Sequence, residues 1–234
     1  MNKTSNKIPI TIVMITLNEA HNLRECLDNI HNNFESVVIV DSYSCDKTID
    51  IALDYGVLIY QRKFKSYGDQ WNFAINQTNI KTPWTMKIDP DERLTKELID
   101  NLRKSCLNES EYNGITINRR LWFMDKPLNI NQKILRVWKT GTCTFSNVSV
   151  NEYPIVSGKI NHIAGNLEHL DSPSIEDWIF KQNKYTSLEA ESILKKKKLS
   201  FDSKILGNNL ERRMWIKNNF WKFPLRYEFL YMYL

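Results

Sequence analysis

Apolar positions along the first hundred residues fall into blocks whose period alternates. "IPITIVMITLN" (8–18) is an unbroken β-branched run, which predicts a strand buried on both faces and ending at Asn18. "EAHNLRECLDNIHN" follows, with Leu23, Cys26, Leu27 and Ile30 at helical spacing. "SVVIVDS" predicts a second buried strand, and "CDKTIDIALDYG" a short helix closed by Gly56. "VLIYQR", "YGDQWNFAINQT", "PWTMKID" and "TKELIDNLRKSC" continue as strand, helix, strand, helix, the last with Thr95 as N-cap. Strict alternation predicts an α/β fold, a mostly parallel, Rossmann-like central sheet with helices on both faces.

After about residue 112 the pattern loosens. "GITINRRLWFM" and "KILRVWKTG" predict strands of a mixed or antiparallel extension, and 140–172 reads as irregular, rich in Asn, Ser and Gly. "SIEDWIFKQNKYTSLEAESILKKKK" predicts one long helix. The expected division is a catalytic domain over 1–200 and a basic, aromatic, helical extension over 201–234.

Composition narrows the class. With 42% hydrophobic and 25% charged residues the chain reads as globular, and a net charge of +5 is too mild to argue for nucleic acid. Cys26, Cys45, Cys106 and Cys143 lie far apart without a C-x-x-C pair, which fits a reducing compartment. The N-terminus lacks the apolar core of a signal peptide, and no run reaches the ~18 apolar residues of a membrane span. The expected location is cytoplasmic. Arg and Lys mixed with aromatics over 208–234 suit an anionic membrane surface, at the inner face of the plasma membrane, or a helix packed back on the catalytic domain.

Ligands of open α/β sheets bind beyond the carboxyl ends of the strands. Three predicted strands end there in polar groups: Thr16, Asn18 and Glu19; Asp41, Ser42 and Ser44; Asp89, Asp91 and Glu92. "KIDPDERLT" crowds three carboxylates into four positions, which costs free energy unless a cation or solvent offsets it. Hard oxygen ligands at this spacing suit Mg2+ or Mn2+ shared with a diphosphate; a solvated, capped turn is the plainer alternative. "TLNEAHN" contains no glycine, so neither a dinucleotide fingerprint nor a phosphate-cradling loop is present at the first turn.

"VMITLNEAHNLRECLDNI", "VVIVDSYSCDKT", "YGDQWNFAI" and "WTMKIDPDERLTKEL", in this order, resemble glycosyltransferase family 2, and within it the bacterial enzymes of lipopolysaccharide-core and capsule assembly. The resemblance spans roughly residues 9 to 195. It implies a GT-A fold, a nucleotide-sugar donor such as a UDP-sugar, a glycan or lipid-linked acceptor, a divalent metal (Mn2+ or Mg2+) and inversion at the anomeric carbon. It assigns Thr16, Asn18 and Glu19 to the base and ribose region, Asp41 to uracil or ribose, Asp89 to ribose and diphosphate, and Asp91 to the metal. The family's His-Glu is Asn151-Glu152 here, and its Gln-(Lys or Arg)-Asn is Gln70-Trp71-Asn72.

Inversion needs one carboxylate base on the acceptor side. Glu152, in the irregular segment, is the candidate, with Asp177 as rival. His169 is a candidate second metal ligand or diphosphate contact, and Arg136 a phosphate contact or a structural ion pair. Two other classes stay open: a different nucleotide-sugar enzyme such as a nucleotidyltransferase, and a non-catalytic carbohydrate-binding relative.

Overall fold

A computed structural model describes residues 7–107, 111–146, 152–171 and 174–194, with isolated positions at 206, 212, 215, 216 and 219. The chain runs β1 (Ile8–Thr16), α1 (Ala20–Ile30), β2 (Phe34–Asp41), α2 (Thr48–Asp54), β3 (Leu58–Gln61), α3 (Tyr67–Asn76) and β4 (Trp84–Lys87). It continues through β5 (Glu92–Leu94), α4 (Lys96–Leu107), β6 (Gly114–Phe123), β7 (Lys126–Lys139), β8 (Cys143–Phe145), β9 (Pro154–Val156), β10 (Ile160–Asp171) and α5 (Ile175–Leu194). The main sheet has eight strands in the order β3-β2-β1-β4-β7-β6-β10-β5, and β8-β9 form a separate pair. The first four are mutually parallel, as the alternating pattern predicts, because each is joined to the next by a helical crossover. β7 is antiparallel to both β4 and β6, β10 is parallel to β6, and β5 is antiparallel to β10.

Alternation along the strands divides the core. Ile12, Met14 and Ile39 point to one face with Leu23, Cys26, Leu27 and Ile30 of α1 and Leu98 and Leu102 of α4. Val13 and Val40 point to the other, with Trp71 and Ala74 of α3 and with Trp138 and Phe145. Each of these large side chains stabilises the fold by roughly 1.5–3 kcal/mol on burial. The unbroken apolar runs of β1 and β2 follow directly from this two-sided burial. Gly56 takes φ 62 just past α2, and the Thr95 hydroxyl accepts the Leu98 N–H at the start of α4.

The structure departs from the sequence expectation in two places that matter for the site. The segment expected to be irregular contains β10, a 12-residue strand. "INHIAGNLEHLD" hides it, because polar residues occupy many of its positions and its register with β6 shifts between His162 and Asn166. Gly165 sits inside that shift at φ 99, and a Cβ there would stand 2.5 Å from the backbone N of Leu98, so glycine lets α4 lie against the strand. Second, the acidic turn runs straight into β5, which places Glu92 inside the sheet instead of in solvent. The long helix over 174–198 is present as α5 to Leu194; the expected extension over 201–234, and Asn151, lie largely or wholly outside the described residues. No described helix is long and apolar enough to cross a membrane.

Candidate active site

At the carboxyl ends of β1 and β2, two loops are laced together. Asn18 turns the chain at φ 56; its N–H donates to Ser44 Oγ (2.8 Å) and its Oδ1 accepts the Cys45 N–H (2.9 Å). The Glu19 N–H donates to Thr48 Oγ1 (2.8 Å), and the Ala20 N–H to Asp46 Oδ2 (3.1 Å). Burial works to raise the Asp46 carboxyl, but the hydroxyl and N–H of Thr48 and the N–H of Ala20 hold it below its ordinary range. Asp41 is fully buried and accepts four hydrogen bonds, from Thr16 Oγ1 (2.9 Å), the Ser44 N–H (2.8 Å), Ser44 Oγ (2.5 Å) and Gln61 Nε2 (3.2 Å). Thr16, Asn18, Glu19 and Asp41 are thus brought to one edge, where Thr16 binds Asp41 and the other two bind Ser44, Cys45, Thr48 and Asn22.

The end of β4 is electrostatically different. The turn 89–92 closes on itself: the Glu92 N–H donates to the Asp89 carbonyl (2.9 Å), and Glu92 Oε2 accepts the Asp89 N–H (3.0 Å). Arg136, on β7, is also buried, and its Nη2 bridges Glu92 Oε1 (2.5 Å) and Asp89 Oδ2 (3.0 Å). Arg136 thus takes part in an internal ion pair with both carboxylates. Arg119 stands 3.9 Å from Glu92. His169 pairs directly across from Glu92 in the β10–β5 ladder, and the Leu170 N–H donates to the Asp91 carbonyl (2.8 Å), so β10 holds His169 against the turn. His169 Nδ1 lies 3.7 Å from both Asp91 Oδ1 and Glu92 Oε1.

The three ionisable groups respond in opposite directions. Burial would raise the Asp89 carboxyl, but Lys87 and Arg136 beside it depress it. Asp91 is raised, first by burial and then by the charges of Asp89 and Glu92, against the pull of His169. Burial would lower His169, yet Glu92 and Asp91 hold it above its ordinary value. Lys181 on α5 reaches to 3.9 Å from Asp91 Oδ2.

Among the described residues no three His, Cys, Asp or Glu side chains converge as a metal cage. Two buried atoms nevertheless lack hydrogen-bond partners among the described residues and lie near each other, Asp91 Oδ1 and His169 Nδ1. Their 3.7 Å separation is too long for a hydrogen bond and suits two ligands of one cation. An ion held by two protein groups keeps its other positions for phosphate oxygens and water, as Mg2+ does at nucleotide sites. The Asp91 carboxylate suits Mg2+ or Mn2+, and the His169 imidazole would join it as a ligand of Mn2+ on giving up its proton.

Glu152 lies on the opposite flank. Its Oε1 is 3.3 Å from the ammonium of Lys87, the last residue of β4, which is also 3.9 Å from Asp89 Oδ1. The structure thus connects the candidate base to the acidic turn through a lysine that sequence reasoning passed over. Its one trace in the sequence is a charged residue at the end of an otherwise uncharged run, a strand that the structure buries throughout. Also passed over was Glu168, which accepts two bonds from Arg120 (2.8 and 2.6 Å) and one from Trp122 Nε1 (2.5 Å), on the face of β6 and β10 away from His169. The rival base, Asp177, falls in the first turn of α5, but its side chain lies outside the described residues.

Comparison with known proteins agrees with this architecture. The family model for glycosyl transferase family 2 matches residues 11–164, more than half of the chain. A glycosyltransferase of Rickettsia bellii is 28% identical over 204 residues, covering 81% of this chain and 69% of that protein. A lipopolysaccharide core biosynthesis glycosyltransferase, LpsC of Rhizobium meliloti, is 29% identical over 196 residues, covering 79% and 72%. In three dimensions the chain is similar to residues 1–349 of S. aureus TarS in complex with UDP, with a TM-score of 0.55 at 14% identity over 92% of this chain and 72% of that one. That likeness bears on the fold, which is GT-A.

Proposed function

We propose that this chain, which belongs to glycosyl transferase family 2, moves a sugar from a UDP-sugar to a glycan or lipid-linked acceptor of a cell-surface polysaccharide, with inversion. The observation that carries this reading is the pair Asp91 Oδ1 and His169 Nδ1, without hydrogen bonds among the described residues, at a strand end that Lys87 links to the carboxylate of Glu152. The Asn18–Ser44 and Asp41 loops form the wall for base and ribose. Asp89 faces ribose and diphosphate. Asp91 and His169 hold Mn2+ or Mg2+, which when bound offsets charge on the leaving diphosphate.

In this reading each group has one task. The buried Glu92–Arg136 pair fixes the turn, so Asp91 meets the donor without rearrangement. Transfer passes through an oxocarbenium-like state, as in glycoside hydrolysis, and the leaving group gathers charge against this preset turn. Glu152 accepts the proton of the attacking hydroxyl as the new bond forms on the face opposite the departing nucleotide. The similarity to LpsC, a lipopolysaccharide core biosynthesis glycosyltransferase, supports a lipopolysaccharide-type acceptor.

A thermal-shift screen with UDP-, GDP- and CMP-sugars, with and without Mn2+, tests the donor. Stabilisation by UDP-sugars that needs Mn2+ is expected. Release of UDP on adding acceptor should then fall ~10²–10⁴-fold in Glu152→Gln, which keeps the shape and removes the base. Stabilisation by a nucleoside triphosphate and sugar phosphate instead would point to a nucleotidyltransferase, and nucleotide-independent sugar binding to a non-catalytic protein.

A further inference from the structure

Lys87 ends a fully buried strand, yet it is a cation with three hydrogen-bond donors. Its ammonium lies 4.3 Å from the centroid of the Trp71 ring and 5.8 Å from that of Phe145, and the two rings stack 5.5 Å apart. Aromatic faces attract a cation and offer it no strong acceptor. Within the described residues its hydrogen bond goes to Glu152 Oε1 at 3.3 Å; Asp89 Oδ1, at 3.9 Å, is beyond bonding distance. The lysine side chain and Glu152 are 11% and 13% exposed, whereas Asp89 is 28% exposed, so the open side of this cluster is the side of the acidic turn.

We propose that Lys87 is a donor-phosphate contact whose hold on Glu152 competes with that contact, so that binding of the donor releases the base. The proposal rests on the reading that a nucleoside diphosphate lies against Asp89 and Asp91. A diphosphate there brings more negative charge than one carboxylate to an ammonium on a flexible four-carbon stem. While Glu152 is bound to that ammonium, its oxygen is not offered to an acceptor hydroxyl. Once Lys87 turns to the phosphate, Glu152 is free for the acceptor. The aromatic floor keeps the cation within reach of both partners. Because coupling free energies are reciprocal, whatever the donor does to the Lys87–Glu152 pair, that pair does in return to donor affinity.

This reciprocity gives a test with a sign that a purely structural ion pair would not show. UDP with Mn2+ is titrated calorimetrically into the unaltered protein, Glu152→Gln, Lys87→Met and the double variant. Removing the competitor in Glu152→Gln should tighten UDP by about threefold or more. Lys87→Met, which packs a thioether on Trp71, should weaken UDP by roughly tenfold or more, as expected for a lost charge-assisted contact. In the double variant the tightening should vanish, and Lys87→Arg should keep most of the affinity. Unchanged UDP affinity in Glu152→Gln overturns the proposal, and so does equal tightening with and without Lys87. If Lys87→Met misfolds, Lys87→Gln carries the same comparison with and without Glu152→Gln. Absence of UDP binding to the unaltered protein removes the donor reading itself, whereas normal UDP binding without coupling removes this inference alone.

Discussion

The loops after β1 and β2 and the turn after β4 lie at the same edge of the sheet, yet they handle buried carboxylates in opposite ways. Asp41 is satisfied by four neutral donors from its own neighbourhood. Glu92 is satisfied by a guanidinium from a strand 44 residues away, and Asp91, next to it, has an oxygen with no hydrogen bond among the described residues. A carboxylate surrounded by hydroxyls and N–H groups is a completed structural element. A carboxylate whose charge is disfavoured by burial and by two like charges needs something more to offset it. The difference separates a carboxylate whose needs are met inside the fold from one that, in the reading proposed above, meets a cation and an anionic ligand.

The sharpest way to break this contrast is Asp91→Asn. Transfer should become unmeasurable and Mn2+-dependent UDP binding should be lost, since the charge that meets the metal is gone. Stability should move the other way. The Asp91 carboxyl lies above its ordinary value in the folded chain, so its ionised form opposes folding once pH exceeds that raised value, and contributes nothing below the unfolded one. In EDTA, urea unfolding should therefore show the variant more stable than the unaltered protein at pH 8, with the advantage disappearing toward pH 4. Near-normal turnover, or a loss of stability at pH 8, would mean that Asp91 belongs with Asp41 as a structural group.

A second comparison sets Arg136→Met against Asp41→Asn. Breaking the internal pair leaves Glu92 buried without its guanidinium, a change that costs about 3–5 kcal/mol. Asp41→Asn keeps an oxygen acceptor for the surrounding donors, and disturbs one or two of the four bonds at about 1–3 kcal/mol. Urea denaturation should rank Arg136→Met well below Asp41→Asn. Equal losses would show that the two carboxylates are held by comparable forces.

The same contrast explains which parts could be read from the sequence. Strands β1 and β2 announce themselves because burial on both faces demands unbroken apolar runs, and Thr95 and Gly56 mark helix ends by local chemistry. Asp41, Asp89 and Asp91 were legible as strand-end carboxylates. The burial of Glu92 was not, because its cause is Arg136 on β7, and nothing in "DPDE" records a partner so distant in the chain. Strand β10 escaped because Gly165 and a register shift interrupt its alternation where α4 lies against it. Lys87 escaped because its meaning depends on Trp71, Phe145 and Glu152, which only folding brings together.

The smallest effect probes the wall itself. Cys26, Cys106 and Cys143 are buried and their thiols are pushed up to about 12 by burial, so they carry little thiolate at pH 8. Cys45 is exposed and sits on the loop that Asn18 pins, with its sulfur 3.6 Å from Asn18 Oδ1. Iodoacetamide should therefore add once per native chain, at Cys45, as read by mass spectrometry of the intact protein and its peptides. If the Asn18–Cys45 loop lines the nucleotide site, saturating UDP with Mn2+ should slow that single alkylation. Protection should track UDP occupancy measured calorimetrically, and UMP should protect as well as UDP at equal occupancy, because the loop would face base and ribose and not the second phosphate. An alkylation rate indifferent to bound UDP would take this loop out of the nucleotide site, and would leave the acidic turn as the part of the edge that meets the donor.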